Sequence, residues 1–371
     1  MIAVIADDFT GAAELGGIGF RYGLSVEIVL PPLNTTTKTG LLVIATDTRS
    51  MQEAAATETM ETITREVNLL HPEWIYKKTD SVLRGHVIPE IKAHLKALGL
   101  KRALLIPANP ALGRTISDGH YFLNGEPVHH SAFSIDPEFP ITSSDLQDML
   151  HTRQEPVTVK KLSDELPDKG IIVGEVASTS DLDAWVGRIE PATFLAGASG
   201  FFSALLKVQT PIAAATVPLA GSPSLFVSGS TFDKSRAAIR KIHAEGGPVS
   251  YMPVSATLFD AWCEEVVTMI KDRGKAIVAI KEDARPANWL KDNMANMVQC
   301  VLERVRVEEL TIEGGATAYA ILQKAGLRTF FPVQELAQGV VRMRVQEAPS
   351  LYITVKPGSY PWPGSMTNDA I

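Results

Sequence analysis

Short apolar runs alternate with segments of helical periodicity along the 371 residues of this chain, and the runs stop abruptly on polar residues. A strand with one wet face alternates apolar and polar side chains. A run that is apolar throughout is instead read as buried on both faces, as in a parallel sheet covered by helices. Residues 2–6, 25–30, 40–46, 74–77, 102–107 and 170–174 read as strands, and 11–22, 51–70, 89–98, 144–151 and 180–189 as helices. A second series has strands at 225–227, 276–280, 309–312 and 351–355 and helices at 234–245, 256–273, 288–304 and 316–325. Strand, helix, strand in this order implies parallel pairing through crossover helices.

The length exceeds the ~250 to 300 residues at which one core stops growing, so two domains are expected. The stretch 208–223, rich in Ala, Pro, Thr and Ser and without periodicity, marks the junction. The expected fold class is α/β, with two domains, 1–210 and 222–371. Each is a mostly parallel sheet flanked by helices, and the active site is expected in the cleft between them.

Composition narrows the function. A 45% hydrophobic, 21% charged chain is globular, not disordered. Its net charge is −7 with no run of five or six like charges, which removes nucleic acid as an expected partner while allowing a small anion in a locally basic cleft. Cys263 and Cys300 are too few for a disulfide framework and lack zinc-site spacing, which suits a reducing compartment. Asp7 and Asp8 cut short the apolar start before it could form an export signal, and no run reaches the ~18 apolar residues of a membrane span. A cytoplasmic protein with no membrane partner is expected. A homo-oligomer is left open.

In parallel α/β sheets ligands sit beyond the carboxyl ends of the strands. Asp7-Asp8-Phe9-Thr10-Gly11 follows the first run, at a helix start where amides favour an anion. Asp8 or Thr10 acting only as a helix cap explains the same pattern. Asp47-Thr48-Arg49-Ser50 follows the third run. The densest polar cluster is Lys77-Lys78-Thr79-Asp80-Ser81-Val82-Leu83-Arg84-Gly85, where Arg84 could bind a carboxylate and Asp80 hold a reacting hydroxyl. A solvated loop of mixed charge is the plain alternative. A further loop, 107–114, ends on Arg114, so Arg49, Arg84 and Arg114 together could satisfy an acidic substrate.

In the second half Ser228-Gly229-Ser230, Gly314-Gly315-Ala316-Thr317 and Lys356-Pro357-Gly358-Ser359 each follow a strand. Such loops offer amides and hydroxyls suited to phosphate oxygens. One of them would be weak evidence; three on strand ends of one small domain point to a nucleotide. GxxxxGK[ST] and a GxGxxG after the first strand are both missing, which argues against a P-loop enzyme and a dehydrogenase.

At these residues the chain resembles the four-carbon acid sugar kinase family. The resemblance is carried by Ala6-Asp7-Asp8-Phe9-Thr10-Gly11-Ala12, Lys78-Thr79-Asp80-Ser81 with Leu83-Arg84-Gly85, and Gly113-Arg114-Thr115 through Asp118-Gly119-His120 and Asp136-Pro137. Ser228-Gly229-Ser230, Gly314-Gly315-Ala316-Thr317-Ala318 and Lys356-Pro357-Gly358 complete it. It implies an N-terminal domain that binds a sugar acid such as threonate, erythronate or an oxo-tetronate, and a C-terminal domain that binds ATP with Mg2+. Ala316 stands where family members usually carry an acidic residue. Asp8, Thr10, Arg49, Lys78, Asp80, Ser81, Arg84 and Arg114 are the expected acid-binding residues, with Asp80 or Asp8 orienting or deprotonating the hydroxyl. Ser228, Gly229, Ser230, Gly314, Gly315, Ala316, Thr317 and Gly358 are the expected nucleotide-binding residues. The alternative function is a catalytically weak protein that binds sugar acid and nucleotide, for which Ala316 is the motivating feature.

Overall fold

The computed structural model describes residues 1–33, 39–136, 138–152, 157–207, 222–230, 232–281 and 285–362. Pro137 and most of the expected junction lie outside the described residues. The chain forms two compact units, Met1–Ser25 with Leu33–Ile212 and Val26–Pro32 with Ala213–Ile371.

Strand β1 (Ile2–Ala6) opens the first unit, while β2 (Val26–Val29) belongs to the second. The first unit continues with β3 (Leu41–Ala45), β4 (Ile75–Lys78) and β5 (Arg102–Ile106). A small antiparallel sheet, β6 (Arg114–Ser117), β7 (His120–Leu123) and β8 (Glu126–Pro127), fills part of the loop-rich middle. Then come β9 (Thr158–Lys160), β10 (Gly170–Gly174) and β11 (Thr193–Gly197). The main strands run parallel in the order β3-β1-β4-β11-β5-β10-β9. Ala3 to Ala6 are wholly buried, as a run apolar on both faces requires. Helices α1 (Phe9–Arg21), α2 (Glu53–Asn68), α3 (Val87–Leu98), α4 (Leu146–Met149), α5 (Thr179–Val186) and α6 (Ser199–Leu206) complete the unit. The sequence reading did not include β11 and α6.

The second unit contains β12 (Ser224–Ser228), β13 (Val249–Tyr251), β14 (Lys275–Ala279) and β15 (Glu309–Glu313). It also contains β16 (Thr329–Ala337), β17 (Val340–Val345) and β18 (Tyr352–Lys356). Five strands run parallel in the order β13-β14-β12-β15-β18. The hairpin β16–β17 and then β2 extend this sheet antiparallel. Helices α7 (Asp233–Ala244), α8 (Phe259–Arg273), α9 (Ala287–Arg304) and α10 (Gly315–Lys324) flank the unit. Phe226, Ile239, Val249, Ile277 and Ala279 form a buried cluster under α7. Cys263 on α8 and Cys300 on α9 are joined in a disulfide. Such a bond is rare in reducing compartments, which is at odds with the compartment inferred from the cysteine count. Among the described residues no helix is long and apolar enough to cross a membrane.

Candidate active site

Three neighbouring parallel strands of the first unit deliver the polar residues expected from sequence. β1 leads into Asp7 and Asp8, β3 leads into the short helical turn Thr48–Ser50, and β4 ends on Lys78 before Thr79, Asp80 and Ser81. Asp8 is the N-cap of α1, its Oδ1 accepting from the Gly11 amide at 2.9 Å and its Oδ2 from the Thr10 hydroxyl at 2.7 Å. The capping reading is therefore correct for Asp8, and capping does not remove it from the cluster. A Cβ on Gly11 would lie 2.5 Å from Asp8 Oδ1 and 3.3 Å from Lys78 Nζ, so only glycine lets helix, carboxylate and lysine approach this closely.

Arg49 is the hub. Its Nε donates to Asp7 Oδ2 at 2.7 Å, and its other nitrogens lie 3.2 Å from Asp8 Oδ1 and 3.5 Å from Asp80 Oδ1. Arg84 grips Asp80 with two parallel bonds of 2.9 and 2.8 Å and reaches Asp136 Oδ2 at 2.8 Å. Asp80 Oδ2 also accepts from the amides of Val82 and Arg84. Arg114 donates to the Ser81 hydroxyl, and both Arg84 and Arg114 lie over the Phe133 ring. Lys78 donates to the Thr79 carbonyl and sits 3.8 Å from Glu14. All eight residues expected to bind the acid thus lie together beyond the carboxyl ends of β1, β3 and β4, Arg114 reaching in from the start of β6. Asp7, Asp136, Glu14 and Phe133 join them unforeseen, although Asp7 and Asp136 lay inside quoted motifs.

Charge is largely balanced within this cluster, and the pKa directions follow. Burial alone would raise the Asp80 carboxyl, but Arg84, Arg49 and Lys78 hold it well below the usual carboxylate range. Asp7 is lowered in the same way, burial being outweighed by Arg49, Lys77 and Lys78. Asp7 keeps one buried oxygen, Oδ1, without a hydrogen-bond donor. A carboxylate as depressed as Asp80 is a poor proton acceptor at neutral pH and a good fixed anchor.

In the second unit the three glycine-bearing loops converge beyond β12, β15 and β18. A Cβ on Gly229 would lie 2.0 Å from Thr317 Oγ1, and one on Gly358 would lie 3.0 Å from Ser230 Oγ. Gly314, at φ 107°, is the N-cap of α10, and Gly315, Ala316 and Thr317 form its first turn. β12 and β15 are neighbours whose chain connections leave to opposite sides, β12 toward β13 and β14 and β15 toward β18. This is a topological switch point, the usual place for a crevice in an open α/β sheet. Below it lies a buried ion pair that sequence reasoning missed. Lys356 Nζ is 2.7 Å from Glu313 Oε1 and donates to the carbonyls of Pro357 and Tyr360, while Glu313 accepts from the Ser228 and Ser235 hydroxyls.

A family model described as "Sugar-binding N-terminal domain" matches residues 2–205. The chain is 29% identical to a D-threonate kinase of Salmonella typhimurium over 64% of its length and 59% of that enzyme's. It is 24% identical to a 3-oxo-tetronate kinase of Actinobacillus succinogenes over 97% of this chain and 96% of that one. Among solved structures, a Salmonella typhimurium protein superposes with a TM-score of 0.78 at 19% identity, covering 100% of this chain and 98% of that one. A Haemophilus influenzae protein does so at 0.70 and 19% identity, covering 97% of each. Those two likenesses speak for the fold.

Proposed function

Because the chain belongs to the four-carbon acid sugar kinase family, whose sugar-binding N-terminal domain it matches over residues 2–205, we propose that it phosphorylates a hydroxyl of a short sugar acid with ATP. The observation that carries this reading is the gathering of Asp8, Arg49, Lys78, Asp80, Ser81 and Arg84 beyond the carboxyl ends of neighbouring parallel strands, with Arg114 reaching Ser81 from the start of β6. The names of the relatives, D-threonate kinase, D-erythronate kinase and 3-oxo-tetronate kinase, support a four-carbon acid as substrate and an alcohol as acceptor.

In this reading the first unit holds the acid, with Arg84 and Arg114 toward its carboxylate and Asp8 toward the reacting hydroxyl. Asp8 takes the hydroxyl-facing role and Asp80 the anchoring one, because Arg84 and two amides already engage the Asp80 carboxylate. Phosphoryl transfer asks little covalent chemistry of a protein, so positioning and charge neutralisation suffice. The second unit holds the nucleotide on Ser228 to Ser230, Gly314 to Thr317 and Gly358. Mg2+ bound with the nucleotide would supply charge neutralisation, and as a cation that keeps several waters it would need few protein ligands. Among the described residues no cluster of three or more His, Cys, Asp or Glu could hold it alone.

A coupled ADP-release assay across four- to six-carbon sugar acids tests the proposal. Turnover with one or a few four-carbon acids is expected. ATP hydrolysis indifferent to every acid, or no turnover with any, contradicts it.

A further inference from the structure

Beside the glycine loops, and within the second unit, lies a cavity of about 430 Å³ bounded by Ser228, Ser230, Arg236, Arg240, Tyr251 and Lys281, with an apolar wall of Ile239, Ala279 and Ile280. Among the described residues no acidic side chain lines it. The volume falls within the ~300 to 1,000 Å³ of small-molecule sites. Arg236 and Arg240 stand four residues apart on α7 and so share a helix face, an arrangement of like charges that disfavours an isolated helix. Arg236 Nε is buried and, among the described residues, has no hydrogen-bond acceptor. Among the described residues none of the three cations is in an ion pair, and Lys281 rests its ammonium 4.9 Å from the Tyr251 ring. A buried donor left unsatisfied is costly unless something else supplies the acceptor.

We infer that this cavity holds the phosphate chain of the nucleotide and that Arg236, with Arg240 and Lys281 beside it, supplies the positive charge a P-loop lysine would supply elsewhere. This rests on the reading of the second unit as the nucleotide half. The neighbouring loops cannot provide that charge. Lys356 is wholly buried, and its ammonium is held by Glu313 and two carbonyls. The loops contribute amides and hydroxyls, and a polyphosphate at neutral pH needs mobile, unpaired cations as well. Ser228 and Ser230 belong to both loop and cavity, so the two regions are continuous.

The test is calorimetry on the full chain with ATP, ADP, AMP and adenosine, and with inorganic tripolyphosphate as competitor. Arg236→Ala is expected to weaken ATP and ADP by roughly tenfold to 150-fold, the range for losing a hydrogen bond between charged groups. Adenosine should change by less than about threefold, and tripolyphosphate should compete more weakly. Arg240→Ala, on an exposed residue, and Arg236→Lys guard against a folding defect and should give smaller losses of the same selectivity. If the parent binds ATP and the variants lose nothing, or lose ATP and adenosine alike, this proposal is overturned and the nucleotide half stands. A parent chain that binds no ATP overturns both.

Discussion

Replacing Asp80 by asparagine separates an anchoring carboxylate from a proton acceptor. Asp80 is 6% exposed and receives two bonds from Arg84, two from amides and the approach of Arg49 at 3.5 Å. The amide retains the shape but turns a donor toward one of these donors. Breaking a buried pair by removing one partner costs about 3–5 kcal/mol. Arg84 keeps Asp136 at 2.8 Å, so the loss should fall at the lower end, about 3 kcal/mol. That is a large part of the ~5–15 kcal/mol that holds a typical domain. Urea unfolding would read it as a lower midpoint with unchanged slope. The pH dependence has a definite sign. A carboxylate depressed in the fold contributes stability that is complete above its unfolded pKa of ~3.9 and is lost as pH falls through the lower folded value. The parent should therefore shed the advantage only in strong acid, and the variant should lack it throughout. Kinetically, the acid KM should rise and kcat should fall, with no acid limb of kcat between about pH 5 and 8 belonging to this residue. An equally stable variant would refute the anchoring role. So would a parental acid limb near neutrality that vanishes in Asp80→Asn.

Three further outcomes are expected. Arg84→Ala should raise the KM for the sugar acid roughly tenfold or more while ATP affinity stays within about threefold; equal weakening of both ligands in a steady-state kinetic comparison contradicts its placement. Gly229→Ala drives a methyl group into Thr317, an overpacking of about 1–3 kcal/mol, and should weaken ATP binding measured by calorimetry without changing the acid KM. Glu313→Gln leaves the Lys356 ammonium buried without its counter-charge, at a cost of about 3–5 kcal/mol. Burial already lowers the Lys356 pKa against the opposing pull of Glu313, and the variant lowers it further. Such a lysine binds fewer protons folded than unfolded between the folded value and ~10.4, so stability rises with pH there. Urea midpoints of the variant should climb more steeply than the parent's between about pH 7 and 10, and parallel curves would count against the ion pair.

Much of the architecture was legible because an apolar run that ends on a polar residue reports a local fact, burial on both faces of a strand. Pairing is not local. Residues 25–30 read correctly as a strand, yet nothing in Val26–Val29 says that its partner is Thr329–Ala337, some three hundred positions away. The hairpin β16–β17 carries no clear sequence signal because Pro332 interrupts the first strand and Arg342 and Arg344 break the apolar run of the second. Within the site, strand periodicity separates two neighbouring lysines. Lys77 and Lys78 are adjacent in β4 and so point to opposite faces. Lys78 lies by the Gly11 turn, while Lys77 is wholly buried 2.6 Å from Glu90 on α3. Arg236 carries no strand-end signal, since it sits on a helix one turn beyond the loop.

The two charge patterns impose different demands on their ligands. At the Asp8 to Arg84 cluster each main cation already faces a carboxylate: Arg49 faces Asp7, Asp8 and Asp80, and Arg84 faces Asp80 and Asp136. An incoming acid cannot be drawn by uncompensated charge there; it must exchange hydrogen bonds with partners already in place, and each group it fails to replace is left unsatisfied. Such a site gains little affinity per contact but rejects a ligand with a misplaced hydroxyl, because the penalty for an unmade buried bond exceeds the net gain from a made one. Around Arg236, Arg240 and Lys281 the cations lack carboxylate partners among the described residues, so a polyphosphate needs no exchange and binds through charge. Salt should therefore act unequally on the two substrates, weakening the nucleotide far more than the acid, since screening falls on exposed, unpaired charge and spares buried pairs.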